Sequence, residues 1–221
     1  MNSSKVVSPI VTRISESIAV VTFTDFASRN SLSTPTLDRL EVQLSEMHAD
    51  KRLRVIIFTG VDKVFLAGAD IRELKNLNCE AALAFAVKGQ SILQRIADST
   101  QLTIAAINGY CFGGGLDFAL ACKLRLASSN AVFAHPGAQL GIITGWGGTQ
   151  RLASLIGRTR SLEIFVTARR LSAAEALTCR LVSDVVDPVE EAAQLIARRF
   201  VARSYPKNAQ FPSDSPQLSV R

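Results

Sequence analysis

The chain is poor in the residues that most often announce a function. It has two histidines, His48 and His135, and four cysteines, Cys79, Cys111, Cys122 and Cys179, with no C-x-x-C pair among them. Neither set has the spacing of a zinc or redox site, so no metal is expected and the cysteines read as buried thiols. Aromatic residues make up 6%, with one tryptophan and two tyrosines. That leaves few platforms for stacking bases, and no recognition motif accompanies them, so nucleic acid is not an expected partner. No apolar run approaches the roughly 18 residues of a membrane span. The opening MNSSKVVSPIV has too short an apolar stretch for a signal peptide. A cytoplasmic location with no membrane partner is therefore expected.

What is present is ordinary in bulk and uneven in detail. The 221 residues suffice for one sizeable α/β domain. The net charge is +6, and its excess lies in the second half: residues 1–110 hold 12 basic and 11 acidic residues, residues 111–221 hold 13 and 8. Such a surface suits a small anionic ligand, and equally a solvated basic face with no specific partner.

Strands are expected over Val6–Ile14, Ile18–Thr24, Arg54–Thr59, Thr103–Ile107, Leu124–Ala127 and Ala131–Ala134. A helix should follow the Ser33/Thr34 cap, with Leu37, Leu40, Leu44 and Met47 on its inner face. Further helices are predicted over Asp70–Leu77, Ala81–Ile96 (Leu83, Phe85, Ile92, Leu93 and Ile96 apolar), Leu116–Cys122, Thr149–Ile156, Thr159–Thr167, Ser172–Thr178 and Val189–Ala202. Strands alternating with helices argue for parallel βα units. No long-range repeat is visible. After Val201 the composition turns to proline and polar residues, which reads as an extended or disordered tail over 204–221 following a domain over 1–203.

Two stretches stand out. In IAAINGYCFGGGLDFALACKLRL, from Ile104 to Leu126, an apolar strand runs through Asn108-Gly109 and Gly113-Gly114-Gly115 into a helix with one carboxylate, Asp117. FLAGADIREL, Phe65 to Leu74, follows the apolar strand Val55-Ile56-Ile57-Phe58 and likewise runs through Gly-Ala-Asp into a helix. Glycines at a strand–helix junction leave backbone N–H groups unpaired at the positive end of a helix, where they favour an anion or an oxygen that becomes one.

Together with LGIITGWGGTQRL (Leu140–Leu152), these motifs resemble the crotonase (enoyl-CoA hydratase/isomerase) superfamily in order and spacing, over roughly Val11 to Ala202. The resemblance implies an α/β fold, a spiral of ββα units, here with a truncated C-terminal helical region. It implies an acyl-CoA thioester as substrate, no cofactor beyond the coenzyme A of that substrate, and a homotrimer or hexamer. By the same resemblance the thioester oxygen is held by the N–H groups of Ala69 and Gly114. Asp117 stands where the family carries its first catalytic glutamate, and Gly137 stands in place of the second. The loop Ser28–Leu32, with Arg29, Ser31 and Leu32, matches the one that lines coenzyme A. Ala67, Gly68, Asp70, Ile71, Gly137 and Trp146 complete the expected substrate contacts, Asp70 also ordering its own loop and Trp146 packing near the acyl end.

Losing one of two acid–base groups typically costs ~10²–10⁴ in rate. Three replacements are open: Asp117 alone, His135 on the same side of a continuing strand as Gly137, or a bound anion or substrate carboxylate beside Gly137. His135 reads rather as a packing residue, and Gln150 and Arg151 as structural. Hydration or isomerisation with Asp117 as acid and base is the leading expectation. Decarboxylation of a malonyl-type thioester, or acyl-CoA binding without turnover, are the alternatives.

Overall fold

The computed structural model describes residues 9–203. The expected tail over 204–221 and the start of the first strand, before residue 9, lie outside them. In chain order the strands and helices are β1 (Ile10–Ser15), β2 (Ile18–Phe23), β3 (Ser31–Leu32), α1 (Thr34–Ala49), β4 (Val55–Gly60), β5 (Val64–Leu66), β6 (Gly68–Ala69), α2 (Ile71–Leu74), α3 (Cys79–Ala97), β7 (Leu102–Ile107), β8 (Tyr110–Phe112), α4 (Gly114–Ala121), β9 (Leu124–Ala127), β10 (Val132–Ala134), α5 (Gly148–Ile156), α6 (Arg158–Thr167), β11 (Leu171–Ser172), α7 (Ala173–Thr178), β12 (Asp184–Val185) and α8 (Val189–Arg203).

The main sheet runs β1-β2-β4-β7-β9-β12, parallel throughout except for the β1–β2 hairpin. A second sheet runs β11-β10-β8-β5, and β3 pairs with β6. The connectivity repeats three times: β4-β5, β7-β8 and β9-β10 each place one strand in the main sheet and the next in the second, and a helix follows. This is the expected spiral of ββα units. It does not show as a sequence repeat because the second strand of each unit has only three residues.

The near-continuous apolar strands are explained by burial on both faces. Ala19, Val21, Ile56, Phe58, Ala105 and Ile107 face the larger core with α1, α3 and α4. The alternate residues Ile18, Val20, Val55, Ile57, Ile104 and Ala106 face α8 through Val189, Ala193 and Ala197. α1 buries Leu37, Leu40, Leu44 and Met47 as its spacing predicted. In α3, Phe85, Ile92, Leu93 and Ile96 point inward, whereas Leu83, expected inside, is exposed. Of the cysteines, Cys111, Cys122 and Cys179 are buried and Cys79 is exposed at the start of α3. Among the described residues no helix is long and apolar enough to cross a membrane.

At the centre lies α4. Every residue from Gly115 to Ala121 is buried. Phe118 carries it: its ring meets those of Phe23, Phe58 and Phe65 edge-on, at centroid distances of 5.5, 5.0 and 6.2 Å. Edge-to-face packing of this kind adds to the burial of the rings themselves. Phe118→Ala is expected to lower stability by about 3–5 kcal/mol, read as a fall in the urea midpoint. Phe118→Leu, which keeps most of the volume, should cost clearly less; equal losses for the two would show that the ring contacts alone, and not the filled volume, anchor α4.

Candidate active site

The triple glycine is used three ways. Gly113 adopts a φ of +53°, a backbone state that favours glycine. A Cβ on Gly114 would fall 2.5 Å from the Trp146 ring, and one on Gly115 2.3 Å from the carbonyl oxygen of Leu66. The chain therefore passes here without side chains because indole and backbone already occupy the space.

This close passage brings the two glycine motifs together. A Cβ built on Gly114 would lie 3.4 Å from the Ala69 amide nitrogen, and one on Gly68 3.0 Å from the Gly114 nitrogen. The Ala69 and Gly114 amides are thus neighbours. Gly114 is the first residue of α4, so its N–H has no partner within the helix. The Ser28–Leu32 segment reaches the same place: Ser31 and Leu32 pair with Gly68 and Ala69. Arg29 is exposed at the edge of this segment, in a left-handed conformation with φ +56°. Asp70 caps α2, accepting from the Arg72 amide at 2.9 Å and pairing with its guanidinium at 2.8 Å, which holds the carboxyl below its usual range. Ser31 Oγ lies 3.5 Å from Asp70 Oδ2. Ala67 is half-buried and Ile71 exposed beside them.

One turn along α4, Asp117 is wholly buried, with 0% of its surface exposed. The Thr144 hydroxyl donates to its Oδ2. Its Oδ1 lies 3.0 Å from Nε2 of His135, itself 3% exposed. This is a contact of ion-pair length, off the straight line of a hydrogen bond, and neither atom has a hydrogen-bond partner. Gly148 lies against the carboxylate, since a Cβ there would sit 1.8 Å from Oδ1. The imidazole packs on the Phe165 ring at 4.7 Å between centroids. Burial pushes the Cys111 thiol well up, and the nearby Asp117 charge adds to that push.

His135 was expected to pack, and on a strand shared with Gly137. The strand β10 ends at Ala134, and Pro136–Leu140 form a 3-10 turn. The turn aims the histidine at Asp117, because a proline immediately after it ends the ladder. Gly137 does not open a slot for an anion or a substrate carboxylate in the direction a side chain would take. The Ile142 carbonyl oxygen occupies that space, 2.6 Å from where a Cβ would be, and the Ile142 amide donates to the Gly137 carbonyl at 3.0 Å. Thr144 was not foreseen, since a threonine in a glycine-rich loop carries no signal of its own. Arg151 is structural as expected, donating to the Trp146 carbonyl at 2.9 Å and to Gln94 at 3.0 Å.

Trp146, 5% exposed, packs between Gly89, Gly114 and Phe85. A groove of about 540 Å³ opens along α3 past Val87 and Gln90 and reaches Thr144 and Trp146, joining the buried carboxylate's surroundings to the surface.

The family model of enoyl-CoA hydratase/isomerase matches residues 13–213. The chain is 38% identical over 190 residues to a short-chain-enoyl-CoA hydratase of Clostridium acetobutylicum, spanning 85% of this chain and 73% of that one. It is 37% identical over 182 residues to a crotonyl-CoA hydratase of Syntrophomonas wolfei, spanning 82% and 70%. The fold is similar to that of an enoyl-CoA hydratase from Bacillus anthracis, with a TM-score of 0.85 at 35% identity over 88% of this chain and 76% of that one.

The packing at Gly137 makes a prediction. Gly137→Ala should lower stability by about 1–3 kcal/mol through overpacking against Ile142, measured by urea denaturation. An unchanged midpoint would mean that the loop is free to move aside and that the slot opens at no cost.

Proposed function

The chain belongs to the enoyl-CoA hydratase/isomerase family, and from that premise we propose that it is an acyl-CoA enzyme that moves a proton at the carbon beside a thioester carbonyl. One observation carries the reading: the neighbouring amides of Ala69 and Gly114 lie one helical turn from a buried carboxylate. An enolate needs two things, fixed donors for its oxygen and a base for its proton. The two amides would supply the donors and Asp117 the base.

In hydration, Asp117 takes a proton from water as the water oxygen bonds to the β-carbon. The double-bond electrons move into the thioester, and the oxygen that gains charge is held by the two amides. The enolate then collapses, and its α-carbon takes the proton back from the carboxyl. In isomerisation the same carboxylate removes a proton from one carbon and returns it to another. Each amide is worth roughly 3–4 kcal/mol of transition-state stabilisation in a dry site. The hydration reading, which makes the protein a lyase acting on short enoyl thioesters, is supported by the relatives named for short-chain enoyl-CoA and crotonyl-CoA. The coenzyme A portion would lie along Arg29, Ser31 and Leu32 and the loop Ala67–Ile71, with Trp146 beside the acyl group.

Loss of the enoyl absorbance of crotonyl-CoA tests this directly. The wild type should turn over, and Asp117→Ala should fall by ~10²–10⁴. A wild type that binds the thioester without consuming it would sink the hydratase reading and favour binding alone.

A further inference from the structure

The reading above asks one carboxylate to do the work of two, and it leaves His135 unexplained. Asp117 is out of water on every side. A buried carboxylate is costly unless its oxygens are met by donors or an opposite charge. Thr144 meets Oδ2. At Oδ1 the only ion-pair partner among the described residues is the imidazole of His135. Arg151 of α5 reaches the adjacent Gly147 and donates to the Trp146 carbonyl, and the groups in contact with the pair are uncharged. Cys111 from β8 is held as a neutral thiol by burial, Gly148 opens α5 with no side chain, and Phe165 of α6 presents a ring.

Asp117 and His135 come from different ββα units, and each has its facing atom without another hydrogen-bond partner. A packing histidine in an apolar shell would turn its nitrogens toward backbone carbonyls or water. This one presents Nε2 to a carboxylate oxygen at 3.0 Å. Histidine is also the side chain whose ordinary titration falls closest to neutral pH.

We infer that His135 is the positioning residue that stands in for the missing second carboxylate, with Asp117 and His135 holding one proton as a pair. The inference rests on Asp117 being the proton carrier proposed above. In hydration the water O–H bond breaks as its oxygen bonds to the β-carbon, and the proton bonds to the Asp117 carboxylate; in isomerisation the proton comes from a substrate C–H bond whose electron pair enters the enolate. The carboxyl holds that proton with His135 Nε2 3.0 Å away until it returns it to carbon. The pair ends each cycle as it began. His135 acts through Asp117: it orients the carboxylate and sets the pH range in which that group is a base.

The chain offers a direct test because it has only two histidines. Their imidazole signals in ¹H–¹⁵N NMR are told apart with His48→Gln, a residue of α1. His135 is titrated in the wild type and in the isosteric Asp117→Asn. A neighbouring negative charge favours the charged imidazole, so removing it should lower the His135 midpoint while the His48 midpoint stays put. An unmoved His135 midpoint in a folded Asp117→Asn would overturn the pair. The second readout is the pH profile of crotonyl-CoA turnover. His135→Gln keeps a donor but does not titrate, and should lose the limb of the profile that falls near neutral pH. A profile identical to wild type would overturn the positioning role. The NMR titration needs no substrate. A chain inactive toward crotonyl-CoA would therefore refute the function proposed above and leave the pair to be decided by the His135 midpoint alone.

Discussion

A helix with no wet face must settle every polar group inside the protein, and α4 is such a helix. It is apolar all round, as befits a central element, and carries one charge. That charge dictates what surrounds it. The Asp117 carboxylate needs a hydroxyl, an imidazole and a glycine backbone at contact distance, and these come from the loop after β10 and the start of α5. The first residue of α4, one turn before Asp117, imposes a second demand. Its amide must find something to donate to, and the chain brings the Ala69 amide beside it rather than a capping side chain. Two neighbouring backbone donors and a buried carboxylate thus meet within one turn of this helix.

The fold was legible wherever a pattern is local. The 3.6-residue spacing of α1 and the long apolar strands were readable because burial acts on each residue through its own periodicity. Of the three-residue strands, β10 was readable as Ala131–Ala134, but β5 and β8 were not, since pieces so short owe their strand state to neighbours brought in from elsewhere in the chain. For the same reason the ββα repeat is architectural and leaves no sequence period. Leu83 illustrates the converse error: its type and spacing said core, but its end of α3 projects beyond the partners that would bury it.

The site was half legible. The glycine motifs that bring the Ala69 and Gly114 amides together stand out in the sequence. Asp117 was visible as the lone charge in an apolar run. What could not be read was which residues meet Asp117, because His135, Thr144 and Gly148 reach it through a turn whose shape depends on Gly137 and Ile142. A histidine before a proline is ambiguous in one dimension. Only the fold decides whether the ring faces a carbonyl, a void or a carboxylate.

That turn also sets what can surround Asp117. The Ile142 carbonyl lies where a side chain at 137 would begin, and the Ile142 amide ties the loop back to Gly137. Two residues on, the same loop delivers Thr144 to Asp117, and four beyond that, Gly148 lets the carboxylate lie flush against the backbone. With this course of the chain, a side chain at 137 and the hydroxyl on Asp117 compete for one conformation. The bare Cα at 137 and the enclosure of Asp117 therefore go together: a glycine leaves the loop this course, with Thr144 on one oxygen of Asp117 and His135 beside the other.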